Sequence, residues 1–297
     1  EEAGAVLRAL YLYAAMFVAA AIAFSQAQPL VRWALRPGAF EGIWVGQIVA
    51  WGLVWWYHRT VGRHEGRTSA GSQTVRRWYV YVTCVYTLVT LCIGIGSILI
   101  LLYGQAYDGL VGTSALASTG LWGERMKQGL TMALVGGAWW AFHWLYIARG
   151  DVESTLRQVY LYLFAFLGGA LTMLVSGARL VYIVLQWVVQ TPELPGAAQH
   201  FRSAGAPLSG LLVGAVLLLY HWQVVQEESQ KLAGRLPGAR RSFGYILSGL
   251  GVGTVAAGAI LLLGMLVGLA VPAARETLAG AQTWRRPLAL SLTLLII

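Results

Sequence analysis

Charge is what this chain has least of. Of its 297 residues only 11% are Asp, Glu, Lys or Arg, against about 25% in a soluble globular domain. Lysine is confined to Lys127 and Lys231. A water-facing surface cannot be built on so little charge, which excludes an ordinary soluble enzyme. The net charge of +9 accordingly reads as loops facing anionic lipid under the positive-inside rule, with no nucleic acid as partner. The use of Arg for Lys, beside abundant Ala, Gly and Leu, points to a GC-rich bacterial genome. Cysteine is nearly absent too. Cys84 and Cys92 lie eight residues apart in one apolar run, about 12 Å along a helix and beyond the reach of about 7 Å that a disulfide allows. They read as buried structural thiols. Missing as well are a P-loop, a Gly-rich dinucleotide fingerprint, HExxH and any Cys or His spacing of a standard zinc site. No catalytic residue and no metal ligand is therefore expected. A midplane Asp/Glu relay, as a proton-coupled transporter would need, is also lacking.

What the sequence has is hydrocarbon. Hydrophobic residues make up 58% of it, in runs of the length that crosses a bilayer as helix. Barrel strands would alternate in segments of about ten residues, and these runs do not. The fold class is an all-α integral membrane protein. The first run, from about Leu10 to Phe24, lacks a small-residue cleavage site in the right place and reads as a retained helix.

The runs repeat. An Arg is followed three residues later by an aromatic and two residues after that by Tyr: Arg8, Tyr11 and Tyr13; Arg76, Tyr79 and Tyr81; Arg157, Tyr160 and Tyr162; Arg240, Phe243 and Tyr245. Each motif opens a long apolar helix (A), at roughly 10–34, 78–104, 159–190 and 243–271. A second helix (B) follows at roughly 42–58, 128–147 and 207–225. These B helices end in Tyr57–His58, Phe142–His143 and Tyr220–His221. The economical description is four tandem αα-hairpins with eight transmembrane helices in a single domain, 1–297. The repeats fall at 7–75, 76–156, 157–239 and 240–297. The last B helix begins near Pro287 and is incomplete at Ile297, so the natural chain is expected to continue. The basic segments 58–77 and 226–241 read as linkers, with Pro237–Gly238 as a turn. Arginines are more numerous there than in the A-to-B loops. That places the amino terminus and the B-to-A linkers on the cytoplasmic side of a bacterial inner membrane.

His58, His143 and His221 pose the main question. Three imidazoles at one depth, and a fourth beyond Ile297, would suit haem b or a pigment as cofactor. The preferred reading is structural. The neighbouring Trp55, Trp56, Trp139, Trp140, Trp144 and Trp222 make an interfacial belt, and the Arg–aromatic–Tyr motifs reach the same interface and can clasp the histidines. Arg179 stands alone inside the third A helix. It either pairs with Asp108 or Glu124 or snorkels to headgroups. Gly249, Gly253, Gly264 and Gly268 form small-xxx-small spacings on the fourth A helix, which permit close helix approach.

The repeated unit resembles a bacterial membrane family catalogued only as a domain of unknown function. The resemblance runs over essentially the whole chain and is strongest at 76–148 and 157–226. Leu218–Leu219 depart from it where other repeats have Trp, as does Phe243 in place of Tyr. It implies architecture and no activity. The expectation is a non-enzymatic scaffold or accessory subunit of a bacterial cytoplasmic-membrane assembly, partnered by lipid and by another membrane subunit or a second copy. A haem b or pigment electron-transfer subunit is the second reading, and a small-molecule channel or transporter the third.

Overall fold

In a computed structural model the described residues are 6–35, 38–64, 69–111, 123–189, 196–231, 237–271 and 283–297. Of Arg240 and Phe243 the backbone alone is described, and the loop residues Arg36, Arg67, Arg235 and Arg275 lie outside. The elements in order are α1 (Val6–Leu35), α2 (Gly42–His64), α3 (Ala70–Val111), α4 (Glu124–Ala141), α5 (Thr155–Val159), α6 (Leu167–Val188), α7 (Ala197–Arg202), α8 (Gly205–Lys231), α9 (Pro237–Ala270) and α10 (Arg285–Ile296). π-helical turns extend α4 over Phe142–Ile147 and join α5 to α6 over Tyr160–Phe166. No strand occurs among the described residues.

Five stretches are long and apolar enough to cross a membrane: Val6–Leu35, Ala70–Val111, Thr155–Val188, Ala197–Glu228 and Gly244–Ala270. The chain is thus an all-helical, multi-pass type of protein, though fewer helices than the expected eight meet that standard. The others, α2, α4 and α10, are helical where spans are expected. However, α2 ends in Arg59, Arg63 and His64, α4 opens on Glu124, Arg125 and Lys127, and α10 is only 12 residues long. The segments read as linkers are also more helical than predicted. Helix α2 persists to His64 and α3 starts at Ala70, because extending an existing helix adds one hydrogen bond per residue fixed, without a new nucleus. Pro237 is the first residue of α9 rather than part of a turn; its fixed φ suits a helix start, where its missing N–H is not needed. Pro29 lies inside α1, which runs through it.

The chain divides into two compact units. The first holds 1–98 and 119–160, hence α1, α2, most of α3, α4 and α5. Here α1 packs along α2 and α4, with Phe24, Ala27 and Val135 as a small core flanked by Ile48 and Trp139. Helices α3 and α4 meet along a seam of small residues. A Cβ added at Gly94 would fall 2.8 Å from the Gly129 carbonyl oxygen, and one at Gly136 would fall 2.8 Å from the Leu91 nitrogen. In hydrocarbon no hydrophobic drive pairs helices, so such close approach supplies the attraction.

The second unit holds 99–118 and 161–297. Its α6 packs along α8 and α10, and α10 along α9. The α6–α8 seam has the same construction: a Cβ at Gly214 would lie 2.9 Å from the Gly169 carbonyl oxygen and 3.3 Å from the Met173 nitrogen. Gly136 and Gly214 each stand seven residues before a B-helix histidine. The partners of Gly136, Thr87 and Leu91, lie 8 and 12 residues after Tyr79; those of Gly214, Gly169 and Met173, lie 9 and 13 after Tyr160. The difference of one residue is what the π turn at Tyr160–Phe166 accommodates, since its i→i+5 bonds enclose one residue more than an α turn.

Gly94→Ala should therefore force α3 and α4 apart and lower stability by about 1–3 kcal/mol. Gly46→Ala, at an α2 position with nothing within 4 Å of an added Cβ, should leave stability unchanged or slightly raised. Thermal unfolding in mild detergent, followed by circular dichroism, compares the two.

Candidate functional site

The three B-helix histidines are turned inward, with exposures of 8% for His58, 2% for His143 and 0% for His221. Of the tryptophans expected in an interfacial belt, Trp56 and Trp222 are exposed, as are Tyr57 and Tyr146, whereas Trp144 is buried. All three rings hold the same local bond. Nδ1 lies 2.7 Å from the Val54 carbonyl oxygen in His58, 2.9 Å from that of Trp139 in His143 and 2.8 Å from that of Leu217 in His221. A carbonyl only accepts, so Nδ1 carries the proton, and in a neutral ring Nε2 is left as an acceptor. Tyr79 supplies the donor for His143, hydroxyl to Nε2 at 3.0 Å. Tyr11 faces His58 Nε2 at a longer 3.5 Å, with the rings edge-on. The Tyr79 oxygen in turn accepts from the indole N–H of Trp55 at 2.7 Å. Trp55, Tyr79 and His143 thus join α2, α3 and the end of α4 through one hydroxyl.

The same set recurs one repeat further on. The Trp140 indole N–H donates to the Tyr160 hydroxyl at 2.9 Å, as Trp55 does to Tyr79. Trp55 and Trp140 each lie three residues before a histidine; Leu218 takes that place before His221. The second tyrosine of one motif stacks near the first of the next, Tyr13 on Tyr79 and Tyr81 on Tyr160, both with centroids 5.9 Å apart. The motif arginines donate to backbone carbonyls at the end of the α4 extension. Arg76 donates to the Ile147 oxygen at 3.1 Å and buried Arg157 to that of Ala148 at 2.9 Å, a helix-end position that favours cations. The Arg157 guanidinium also lies 4.3 Å over the Trp144 ring. Arg8 and Tyr162 sit at the matching steps of α1 and the Tyr160–Phe166 turn, and Tyr245 is exposed on α9.

Beside the clasp the first unit contains a cavity of about 690 Å³. Arg59 and Arg63 of α2, Arg76 of α3 and Asp151 line it, with Tyr13 and Tyr146. The Asp151 carboxylate is taken up by Arg77 at 2.9 Å and by the Tyr81 hydroxyl at 3.1 Å. The Arg59 guanidinium lies 5.0 Å from the Trp55 ring centroid and 5.8 Å from that of Tyr146. A cavity with three arginines and a pre-neutralised carboxylate is built to accept negative charge. The cavity cannot be read from any one motif, because it joins side chains from separate helices.

In the second unit Asp108 receives both Nε and a terminal nitrogen of Arg202, at 2.7 and 2.6 Å, and the Tyr103 hydroxyl donates to the Phe201 carbonyl at 3.0 Å. Buried His200 reaches the Ile183 carbonyl through Nε2 at 2.8 Å. No sequence signal singled out Arg202 or His200. Glu124, in the first unit, holds Lys127 at 2.9 Å. The Arg179 guanidinium lies 5.5 Å over the Tyr182 ring. Both cysteines are free. Among the described residues no three of His, Cys, Asp and Glu gather to hold a metal ion.

These features describe an all-helical membrane-type chain with a polar clasp at the helix ends. Residues 77–206 match the model of a family described as a domain of unknown function (DUF5671), so the resemblance read from the repeated motifs holds over that stretch. It begins just after Arg76 and takes in Tyr79, His143 and Tyr160. No curated protein and no solved structure matches the chain.

Tyr79→Phe should leave the Trp55 indole and His143 Nε2 without their shared partner and cost about 1–3 kcal/mol. Tyr11→Phe, at an exposed tyrosine with the longer contact, should cost well under 1 kcal/mol on the same scale. Equilibrium unfolding of both variants in one detergent gives the comparison.

Proposed function

We propose that the chain is a non-enzymatic scaffold or accessory subunit of a bacterial cytoplasmic-membrane assembly. In this reading it is built as four tandem hairpins with eight spans, and its amino terminus and B-to-A linkers are cytoplasmic. The repeat is supported by two matching contact sets, Trp55–Tyr79 with Tyr13–Tyr79 and Trp140–Tyr160 with Tyr81–Tyr160. The seams, in register once the π turn is allowed for, support it too. Haem b is disfavoured by the donor set. The Nε2 that iron would take in His143 is 3.0 Å from a tyrosine hydroxyl already bound to Trp55, which argues against this ring as an iron ligand.

The observation that carries the reading is the uncovered face of α9. Only 6% of its most apolar stretch is buried, against 22% to 33% in the other four spans. Gly258 packs on α10, where an added Cβ would lie 3.0 Å from the Ser291 oxygen, but Gly249, Gly253 and Gly264 have nothing within 4 Å. At about 100° per residue those three point to the side opposite Gly258. A small-residue face directed away from α10, and open among the described residues, supports a partner helix, from another subunit or a second copy.

Mass measurement in mild detergent tests this. The native chain should run as a complex, and Gly253→Leu should shift it to the monomer with unchanged thermal stability. A monomer in both cases removes the argument for a partner.

A further inference from the structure

A second opening borders the clasp. A cleft of about 320 Å³ is bounded by Ala19, Ala20 and Ala23 of α1, Ile48 and Trp51 of α2, and Trp139 of α4. Its lining is almost wholly apolar. Both spaces border the clasp. Tyr79 lines the basic cavity, while its hydrogen-bond partners Trp55 and His143 line the cleft. Helix α1 passes along both, presenting Leu12 and Met16 to the cavity and Ala19 to Ala23 to the cleft. Met16 and Ala19 differ in height by only about 5 Å at 1.5 Å per residue.

A basic cavity at the helix ends and an apolar cleft one turn deeper match the two halves of an amphiphile. We propose that together they bind one anionic lipid phosphate, its phosphate among Arg59, Arg63 and Arg76 and an acyl chain in the alanine-floored cleft. Guanidinium groups suit phosphate because their planar forks donate in pairs. Asp151, the carboxylate among the described lining residues, is already paired with Arg77. A soluble phosphate ester would satisfy the arginines but leave the cleft without atoms on one side, which forfeits dispersion contacts. The three alanines keep that cleft open; larger side chains would fill it.

Lipid binding to the purified full chain, measured by native mass spectrometry, tests the proposal with dioleoyl phosphatidic acid, dioleoyl phosphatidylcholine and glycerol 3-phosphate. Phosphatidic acid should bind at least tenfold more tightly than the other two. Arg63→Gln, at an exposed position that should not disturb folding, should weaken phosphatidic acid about fivefold, the worth of one cation near an anionic headgroup. Phosphatidylcholine should not respond. Arg149→Gln, an exposed arginine outside the cavity, should change nothing, and Ala20→Phe should weaken phosphatidic acid by filling the cleft. Equal binding of the two lipids overturns the proposal. So does a preference that Arg63→Gln and Arg149→Gln reduce alike. Glycerol 3-phosphate binding as tightly as phosphatidic acid, and insensitive to Ala20→Phe, assigns the arginines to a soluble phosphate and overturns it as well.

Discussion

A polar group buried at the end of a membrane helix has no water to turn to and must be satisfied by the chain itself. At the Tyr79 hydroxyl that requirement fixes several side chains together. Indole N–H groups only donate and carbonyls only accept. The tyrosine oxygen therefore takes the Trp55 proton and gives its own to His143, whose other nitrogen donates to the Trp139 carbonyl. Every proton in this chain has one consistent direction, and that direction requires a neutral imidazole. Loss of the hydroxyl would strand two buried groups at once, and gain of a proton by the ring would force the Tyr79 hydroxyl to turn its own proton elsewhere.

With the helix ends held in this way, the spans below need only fit closely. They do so through glycine seams at Gly94 and Gly136 and at Gly169 and Gly214. The clasp and the seams are set in one register, since Gly136 and Gly214 each fall seven residues, about two turns, before a B-helix histidine. Where the helix from α5 to α6 carries an extra residue, a π turn absorbs it just after Tyr160 and the seam beyond regains its place. The two polar functions of the helix ends are then divided. Tyrosine, tryptophan and histidine satisfy one another, whereas the arginines cap carbonyls and line the cavity.

Much of this was legible in the sequence, and the reasons for the rest are physical. Scarce charge and long apolar runs define a helical membrane chain because hydrocarbon forbids most alternatives. The Arg–x–x–Tyr–x–Tyr and aromatic–His motifs marked the clasp, because contacts made the same way in two successive repeats require the same residues. The destinations of Asp108 and Arg202 were not legible: each occurs once, and a pairing between residues 94 apart has no local period. Helix ends were misplaced at 58–77 because Gly, Ser and Thr suggest a break, while a preformed helix on either side extends into such residues at little cost. Pro237 misled for a similar reason, since one residue type serves both a turn and a helix start. The basic cavity was missed because its arginines had been counted as topology signals.

The state of the histidine rings tests the account most directly. Solid-state ¹⁵N spectra of histidine-labelled protein in lipid bilayers near neutral pH separate Nδ1–H, Nε2–H and doubly protonated imidazole. The hydrogen-bond directions predict His143 as a neutral ring protonated at Nδ1, and His221 as protonated at Nδ1. His143 Nε2 should show the signature of an acceptor and lose it in Tyr79→Phe. A His143 ring protonated at Nε2, an imidazolium, or an Nε2 signal displaced by a metal would contradict the claim that these imidazoles serve to clasp helices.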